Sequence, residues 1–193
     1  MKQRRRRMAR RVVWAGLVLG LYGGIPAMAA PQAAKEKPME LQSADFKDGG
    51  NIPLAFVMTA IGGKNISPGF SWKNSPPGTK SFAFSMVDPH PVAHNWVHWL
   101  VVNIPPEVPS LPRGASGKAV PSPGKELENS FGFAGYGGPQ PPAGSGDHPY
   151  VCIVYALSVD KLTLPAKTSL GAFNHALEGV VLAKAQTTGH YTR

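Results

Sequence analysis

Cysteine is nearly absent from this sequence, in which Cys152 is the single cysteine among 193 residues. One cysteine excludes an internal disulfide framework, so packing and hydrogen bonding must stabilise the fold. Cys152 lies among apolar residues of a predicted strand, which favours a buried small hydrophobe over a reactive thiol.

Standard catalytic motifs are also missing. The segment Gly117-Lys118-Ala119 lacks the Ser or Thr of a phosphate-binding P-loop, and Pro112 stands where that motif has its first glycine. The segment Gly69–Lys73 lacks the second glycine of a nucleophile elbow. The sequence therefore contains no strong nucleophile motif.

Positive charge is abundant but unevenly placed. The chain has 20 Lys and Arg against 11 Asp and Glu, and seven of these cations lie in the first eleven residues. The apolar run Val12–Tyr22 follows, which is too short to span a bilayer, and Ala27-Met28-Ala29 resembles a signal-peptidase site. This pattern predicts a signal peptide over residues 1–29, cleaved after Ala29, and Arg10-Arg11 leaves a twin-arginine export signal as an alternative.

Removal of the signal peptide changes the charge balance. The remaining 164 residues carry 13 cations against 11 anions, a net charge of +2, which argues against nucleic-acid binding. No second long apolar segment follows. We therefore expect no integral membrane segment after cleavage, and an exported protein that is either periplasmic or secreted.

Composition favours a mostly β domain. Residues 30–40 are small, charged and interrupted by proline, so they predict a flexible leader before a single domain over residues 41–193. The chain has 22 Gly, 20 Pro and 42% apolar residues, which is typical of a globular fold with many turns. Four apolar or alternating segments predict strands: Leu54–Ile61, Ser81–Asp88, Trp96–Ile104 and Tyr150–Val159. Residues 105–149 hold most of the Pro and Gly and predict a long functional loop tract.

A helix is predicted after Pro165. Apolar residues recur there at a spacing near 3.6, Thr168 or Ser169 could cap the start, and Gly189 could end it. The stripe consists of Leu170, Phe173, Leu177, Val180, Val181 and Lys184. We expect this helix to pack its apolar side against a sheet.

Two titratable clusters have structural explanations. His90, His94 and His98 lie four residues apart, which would align three metal ligands on a helix, but the prolines around His90 disfavour a helix there. Glu126 and Glu128 could form a carboxylate pair, although on a polar loop such residues are usually solvated. We expect no metal site and no catalytic carboxylates.

Polar residues mark the ends of three predicted strands. Asp88 ends one strand, Trp96 and His98 open another, and His148 with Tyr150 opens a third. If these strands are neighbours in a sheet, a carboxylate, two imidazoles, a phenol and an indole meet at one rim.

Such a rim could bind an anion. In this interpretation Asp88 accepts a hydrogen bond from His98 and stabilises its imidazolium, while the second histidine and the tyrosine hydroxyl donate to the anion. The tract Gly137–Gly144 would let backbone N–H groups approach the same anion. The alternative is that these residues only satisfy one another at the strand ends.

Several motifs around these residues give a family resemblance from about Leu41 to Arg193. They are Ser67-Pro68, Phe70-Ser71-Trp72, Pro77–Ala83, Val87-Asp88-Pro89, Trp96-Val97-His98-Trp99, Asn103-Ile104-Pro105, Asn129-Ser130-Phe131-Gly132 and Tyr136–Gly144, leading to His148 and Tyr150. At these positions the sequence resembles the phosphatidylethanolamine-binding protein family, in its bacterial Raf-kinase-inhibitor-like branch.

The resemblance implies a β-sandwich with a C-terminal helix and small peripheral helices. It also implies a small pocket for phosphate, phosphorylated headgroups, acetate or similar anions, and no cofactor. The residues that match the family's pocket are Asp88, Trp96, His98, Gln140, Pro142, His148 and Tyr150.

This chain departs from the family pattern at three positions. His90 replaces a second carboxylate, so we include it among the ligand-binding candidates and expect phosphate to bind better below neutral pH. Pro149 replaces an arginine between the pocket histidine and tyrosine, and Val180 replaces a histidine near the last helix.

The sequence thus predicts an exported binding protein for a small anionic or phosphorylated ligand. An alternative role is regulation, in which the same pocket docks an acidic or phosphorylated segment of a protease or kinase. Hydrolysis with His98 or His148 as a base beside Asp88 is less favoured, because nothing in the sequence supplies a nucleophile.

Overall fold

The computed structural model describes residues 37–193. The predicted signal peptide, with its alternative twin-arginine signal, and residues 30–36 of the predicted leader lie outside the described residues. At the end of the predicted leader, Met39 is buried and Glu40 already belongs to the first strand.

Strands dominate the described residues, and their bounds set the topology of the molecule. In chain order they are β1 (Glu40–Ser43), β2 (Gly50–Asn51), β3 (Phe70–Lys73), β4 (Ser81–Asp88), β5 (Trp96–Ile104), β6 (Ser110–Leu111), β7 (Lys125–Glu126), β8 (Asp147–Leu157) and β9 (Val181–Thr192). The helix α1 covers Leu170–Leu177.

Two sheets enclose the main core. The smaller sheet has the order β1-β3-β6, and the larger has the order β2-β9-β8-β4-β5-β7. All pairs are antiparallel except β2 with β9. Aromatic rings from the two sheets pack against each other: Phe70 lies 4.7 Å from Phe84 in a tilted arrangement, and Trp72 lies 5.2 Å from Phe82 edge to face, between ring centroids. The fold is therefore the β-sandwich that the family resemblance implies.

The predictions for β4 and β5 are confirmed to the residue. In β4, Phe82, Phe84 and Met86 lie in the core between the sheets, while Ala83 lies in a second apolar cluster. That second cluster lies under α1 and includes Phe173 from the helix. Both faces of the central strands are covered, which explains their nearly continuous apolar sequences.

The predicted strand Leu54–Ile61 is wrong. The structure has two short 3₁₀ turns there, Leu54–Phe56 and Thr59–Ile61. The chain folds back so tightly that a Cβ on Gly63 would lie 1.9 Å from the Val57 carbonyl oxygen. The run is apolar because Phe56 and Val57 are buried at the base of this turn, and not because it pairs with a neighbouring strand.

The predicted helix is correct at its start and wrong at its end. The Ser169 hydroxyl accepts a hydrogen bond from the Ala172 N–H at 3.1 Å and caps α1. The helix ends at Leu177, and Gly179 adopts a left-handed φ of +73°. From Val181 onward the chain forms β9, which pairs with β8 along its whole length. Val180, Val181 and Lys184 fit a helical spacing by coincidence. In the structure Ala183 and Ala185 pack against the core and Lys184 between them is exposed, which is the alternation of a strand.

The long tract 105–149 consists mainly of turns, as predicted, with β6, β7 and the start of β8 inside it. Within residues 37–193, no helix is long and apolar enough to cross a membrane.

Candidate functional site

The topology brings three strand ends together. Asp88 ends β4, Trp96 begins β5, and Asp147 begins β8. Because β4 is antiparallel to both of its neighbours, the end of β4 lies beside the starts of β5 and β8. A cavity of about 350 Å³ opens at this edge of the large sheet. It is lined by Asp88, Val92, Ala93, Trp96, His98, Phe131, Gln140, Pro141, Pro142, His148 and Tyr150.

The alternation of β8 aims two predicted residues inward. His148, Tyr150, Cys152 and Val154 are buried, while the residues between them are partly exposed. The polar pair at the start of the strand therefore continues the row of side chains that forms the core. The cavity is in effect the polar end of the core between the sheets.

A β-bulge aims the third residue. Met86 pairs with Trp99 and Val87 pairs with Val97, so His98 is the extra residue on β5. A bulge lets neighbouring side chains share a face that strict alternation would separate. Both Trp99 and His98 are buried, and the His98 ring packs 4.9 Å from the Tyr150 ring between centroids.

Asp88 pairs with His148 and not, as predicted, with His98. The His148 Nδ1 lies 2.6 Å from the Asp88 Oδ2, and both side chains are almost completely buried. The His148 Nε2 lies 2.9 Å from the Ser145 hydroxyl, which itself donates to the Pro142 carbonyl at 2.6 Å. Both ring nitrogens of His148 thus have partners within the protein.

His98 has a backbone partner in place of a carboxylate. Its Nδ1 lies 2.6 Å from the Gly137 carbonyl oxygen, and the Gly137 N–H donates to the His98 carbonyl at 2.9 Å. Burial lowers the pKa of His98 from 6.5 to about 4, although the Gly137 carbonyl and the Asp88 carboxylate act in the opposite direction. The predicted His98 imidazolium is therefore wrong at neutral pH, where the ring is neutral.

Tyr150 supplies an unpaired donor. Its hydroxyl is buried and has no hydrogen-bond partner among the described residues. Burial, with a contribution from the Asp88 carboxylate, raises the pKa of Tyr150 above its usual value, so the phenol keeps its proton. Buried hydroxyl groups normally have a partner, so the Tyr150 hydroxyl is a donor that a group bound in the cavity could satisfy.

His90 lies behind the cavity lining. Its ring stacks on His148 with centroids 3.8 Å apart and an angle of 25° between the planes. Its backbone N–H donates to the Asp88 Oδ1 at 2.8 Å. His90 is therefore next to the cavity residues, but it is not one of those that line the cavity.

The glycine tract has a different role from the predicted one. The Gly137 N–H is bonded to His98, and the Gly138 N–H donates to the Asn65 Oδ1 at 2.7 Å, so neither is free for an anion. A Cβ on Gly137 would lie 2.4 Å from the Phe131 ring. Glycine is needed here because the backbone packs directly against an aromatic side chain.

The cavity also contains residues that were not predicted. Val92, Ala93, Phe131 and Pro141 line it, and Ser145 bonds to His148 behind it. Phe131 had a sequence signal, since it belongs to the Asn129–Gly132 motif quoted above. Val92 and Ala93 had none, because small apolar residues in a loop carry no distinctive pattern.

The remaining candidates have structural explanations. Burial raises the pKa of Cys152, which confirms the prediction of a buried small hydrophobe. Glu126 accepts hydrogen bonds from the Trp99 indole at 2.7 Å and from the Gly117 N–H at 2.8 Å. Within the described residues, no group of three His, Cys, Asp or Glu side chains is arranged to hold a metal ion.

Comparisons with known proteins agree with this architecture. An Aquifex aeolicus protein described as a UPF0098 protein is 39% identical over 155 residues, covering 80% of this chain and 89% of its own. Escherichia coli YbcL, whose crystal structure is described as that of a new member of the mammalian PEBP family, matches with a TM-score of 0.77 at 34% identity. That match covers 81% of this chain and 99% of YbcL.

A more distant structure shares the fold alone. Carboxypeptidase Y inhibitor, solved in complex with its cognate proteinase, matches with a TM-score of 0.50 at 16% identity, covering 82% of this chain and 84% of its own. The phosphatidylethanolamine-binding protein family model matches residues 42–192. With the strand-end cavity and the YbcL match, this shows that the chain belongs to the phosphatidylethanolamine-binding protein family, in its bacterial YbcL-type branch.

Proposed function

We propose that the protein is an exported binding protein whose cavity holds a small anion, namely phosphate or a phosphorylated headgroup. The observation that carries this proposal is the buried Tyr150 hydroxyl, which has no partner among the described residues and lies in the wall of the cavity. An anionic oxygen in the cavity would accept that hydrogen bond and remove the cost of leaving the hydroxyl unpaired.

The remaining surroundings suit a small phosphorylated group. A volume of about 350 Å³ is at the small end of ligand pockets. The Asp88 carboxylate is bonded to His148 and to the His90 N–H, so its charge is partly compensated inside the protein. The Phe131 and Trp96 rings, 5.2 Å apart between centroids, form an apolar wall that a headgroup could contact.

The lining also supports binding over catalysis. Among the described residues, no serine, threonine or cysteine lines the cavity. A covalent intermediate on a serine, threonine or cysteine is therefore excluded at this cavity, and the Asp88 carboxylate is already held by His148 and the His90 N–H.

Calorimetric titration with inorganic phosphate and phosphorylethanolamine tests the proposal. The variant Tyr150→Phe keeps the ring and removes only the hydroxyl, so we expect the affinity for phosphate to fall about tenfold. The matched control is Tyr155→Phe on the same strand, whose hydroxyl lies 3.5 Å from Ser85 and outside the cavity. We expect the control to bind as tightly as the unmodified protein. Equal affinities for both variants, or no binding of either probe, would contradict the proposal.

Export is the second part of the proposal. It rests on the basic segment, the apolar run and the small-residue site in residues 1–29. We expect the mature protein to be recovered from the periplasm or the medium with Ala30 as its first residue. N-terminal sequencing of that material is the measurement, and an intact Met1 on exported protein would contradict cleavage.

A regulatory role is a second candidate because the mouth of the cavity is apolar and exposed. Val92 and Trp96, which line the cavity, have exposed fractions of 52% and 38%. Phe133, whose ring stacks on that of the lining residue Phe131, has an exposed fraction of 39%. Exposed aromatic side chains beside a pocket are typical of protein contacts. A panel of carboxypeptidases and other proteases, assayed with the protein and with its Trp96→Ser variant, tests this role. Inhibition that is lost in Trp96→Ser would support it, and no inhibition of any protease would count against it.

A further inference from the structure

The hydrogen-bond pattern fixes which nitrogen of His98 carries the proton. A backbone carbonyl can only accept, so the His98 Nδ1, 2.6 Å from the Gly137 oxygen, must donate. In a neutral imidazole the Nε2 then has a lone pair and no hydrogen. No hydrogen bond to this Nε2 is found among the described residues, and His98 lines the cavity.

The polar groups of Asp88 and His148, which lie beside His98, are already satisfied. The Asp88 Oδ1 accepts from the His90 N–H and its Oδ2 bonds to His148, whose second nitrogen bonds to Ser145. Two atoms of buried side chains remain available to a ligand: the Tyr150 hydroxyl, which is a donor, and the His98 Nε2, which is an acceptor. The half-buried Gln140 amide and the exposed Trp96 indole N–H also line the cavity without a partner among the described residues, and both can donate to a phosphate oxygen.

A ligand that satisfies both atoms must accept one hydrogen bond and donate another. A fully ionised phosphate has only acceptor oxygens, so one of its lone pairs would face the lone pair of Nε2. A phosphate that keeps one O–H group has both functions. We infer that the cavity binds phosphate groups together with one proton, held between a phosphate oxygen and the His98 Nε2. The ligand brings this proton when it is a singly charged monoester, and solvent supplies it to His98 when the ligand has none.

The surroundings of His98 support the uptake of a proton when a phosphate ligand binds. The titratable groups that face it are Asp88 at the end of β4 and His148 and Tyr150 on β8. Asp88 favours the imidazolium, His148 opposes it, and burial dominates, so the pKa of the free ring is about 4. Since the ring is neutral from pH 5 to pH 8, a phosphate that lacks its own proton must recruit one.

This inference rests on the proposed function, and titration calorimetry distinguishes the two. The full chain is titrated at pH 5 and pH 7.5 in buffers of different ionisation enthalpy, which gives the number of protons taken up per ligand. The probes are phosphorylethanolamine, a monoester whose second pKa is about 6, and glycerophosphorylethanolamine, a diester without a titratable O–H in this range. The diester represents the headgroup as it exists in an intact lipid, and the monoester represents the free headgroup.

We expect the diester to take up close to one proton at both pH values. The monoester is expected to take up close to one proton at pH 7.5 and almost none at pH 5, because at pH 5 it carries its own. Measurable binding without uptake at pH 7.5 would overturn the inference and leave the proposed function intact. Absence of binding by both probes at both pH values would overturn both.

A variant assigns the proton to His98. His98→Gln retains hydrogen-bonding groups but cannot titrate, so we expect uptake of the diester proton to fall to near zero. The matched control His175→Gln lies on α1, where the His175 ring is exposed and bonds only to Glu178, and should keep the full uptake. Full uptake by a folded His98→Gln would place the proton elsewhere and overturn the assignment.

A measurement on the unmodified protein covers the case in which His98→Gln does not fold. In ¹⁵N-labelled protein, the Nε2 signal of His98 should have an unprotonated shift in the free state at pH 7.5. Addition of the diester should move it to a protonated shift while Nδ1 stays protonated. An Nε2 signal that stays unprotonated in the bound state would overturn the inference.

Discussion

Two histidine–aspartate pairs meet at the start of β8 and differ mainly in burial. Asp147 and His148 are consecutive, so their side chains point to opposite faces of the strand. His148 pairs with Asp88, and His190 pairs with Asp147, in both cases with 2.6 Å between Nδ1 and Oδ2. The side chains of the first pair are 1% and 4% exposed, whereas those of the second are 29% and 55% exposed.

Equal distances between the paired atoms therefore do not mean that the two pairs contribute equally to the free energy of unfolding. In the exposed pair, the hydrogen bond from His190 lowers the pKa of Asp147, but solvent screens the attraction. In the buried pair, removal of one partner leaves the other without compensation in a medium of low dielectric constant. Only the buried pair borders the cavity, so the protein retains a desolvated pair at the place where a ligand is proposed to bind.

The largest expected effect comes from removing one carboxylate of each pair. Asp88→Ala should lower the free energy of unfolding by about 3–5 kcal/mol, because it leaves His148 and the His90 N–H without their partner. Asp147→Ala should lower it by less than about 1 kcal/mol. Urea unfolding at pH 7 measures both, and similar losses for the two variants would remove the distinction between the pairs.

His98 extends the comparison to a buried histidine without a carboxylate partner. Its pKa is lowered to about 4 in the folded state, so below pH 6.5 the unfolded chain binds a proton that the folded chain does not. The free energy of unfolding should therefore decrease as pH falls, by about 3 kcal/mol between pH 6.5 and pH 4 from this residue. Denaturant unfolding across this range should show a shallower decrease in His98→Gln. Parallel curves for the two proteins would contradict the buried neutral state of His98.

Each histidine–aspartate pair has one further hydroxyl partner, and its removal should change the free energy of unfolding by a smaller amount. Ser145→Ala removes the hydroxyl that bonds to His148 and Pro142, and we expect a loss of about 1 kcal/mol. Thr192→Val removes an exposed hydroxyl that bonds to Asp147 at 3.2 Å, and we expect a change within about 0.5 kcal/mol. Thermal and urea unfolding of the two variants measure both changes. A larger loss in Thr192→Val than in Ser145→Ala would contradict the greater contribution of the buried pair and its partner.

The smallest expected effect is the change of each pair's coupling energy with salt concentration, which distinguishes an exposed pair from a buried one. A double-mutant cycle of Asp147 and His190 should give a coupling of a few tenths of a kcal/mol at low salt, which falls further in 1 M NaCl. The coupling between Asp88 and His148 should change much less with salt, because both side chains are almost completely buried and bulk ions screen a buried pair only weakly. Equal salt sensitivity of the two couplings would contradict the difference in burial between the pairs.

Much of the fold could be predicted from local patterns. Alternation in Ser81–Asp88 and the apolar run Trp96–Ile104 gave correct strands, because both segments are covered on two faces in the structure. The start of α1 was predictable from the Ser169 cap. The end of α1 was not, since residues 180–184 fit two periods and only pairing with β8 selects the strand.

The sequence predicted most of the cavity residues, but not how those residues are hydrogen-bonded to one another. Strand ends and motifs identified most of the residues that line the cavity, but they assigned Asp88 to the wrong histidine. That error has a physical cause, because the bulge at His98 changes the direction of its side chain and the start of β8 brings His148 closer to the carboxylate. The tautomer of His98 is determined by the backbone carbonyl of Gly137. A backbone group is present at every residue, so a sequence pattern could not predict this partner.

The parallel pairing of β2 with β9 affects how the molecule folds. Gly50 pairs with Gly189, and the Thr188 N–H bonds to Asp48, across a separation of 140 residues. A Cβ on Gly189 would lie 2.6 Å from Ile52, so the first strand of the large sheet packs tightly on the last. Such non-local pairing raises the contact order and slows folding. The large sheet cannot be completed until β9 is available. We therefore expect the backbone amides of β2 and β9, its first and last strands in chain order, to become protected from hydrogen exchange together.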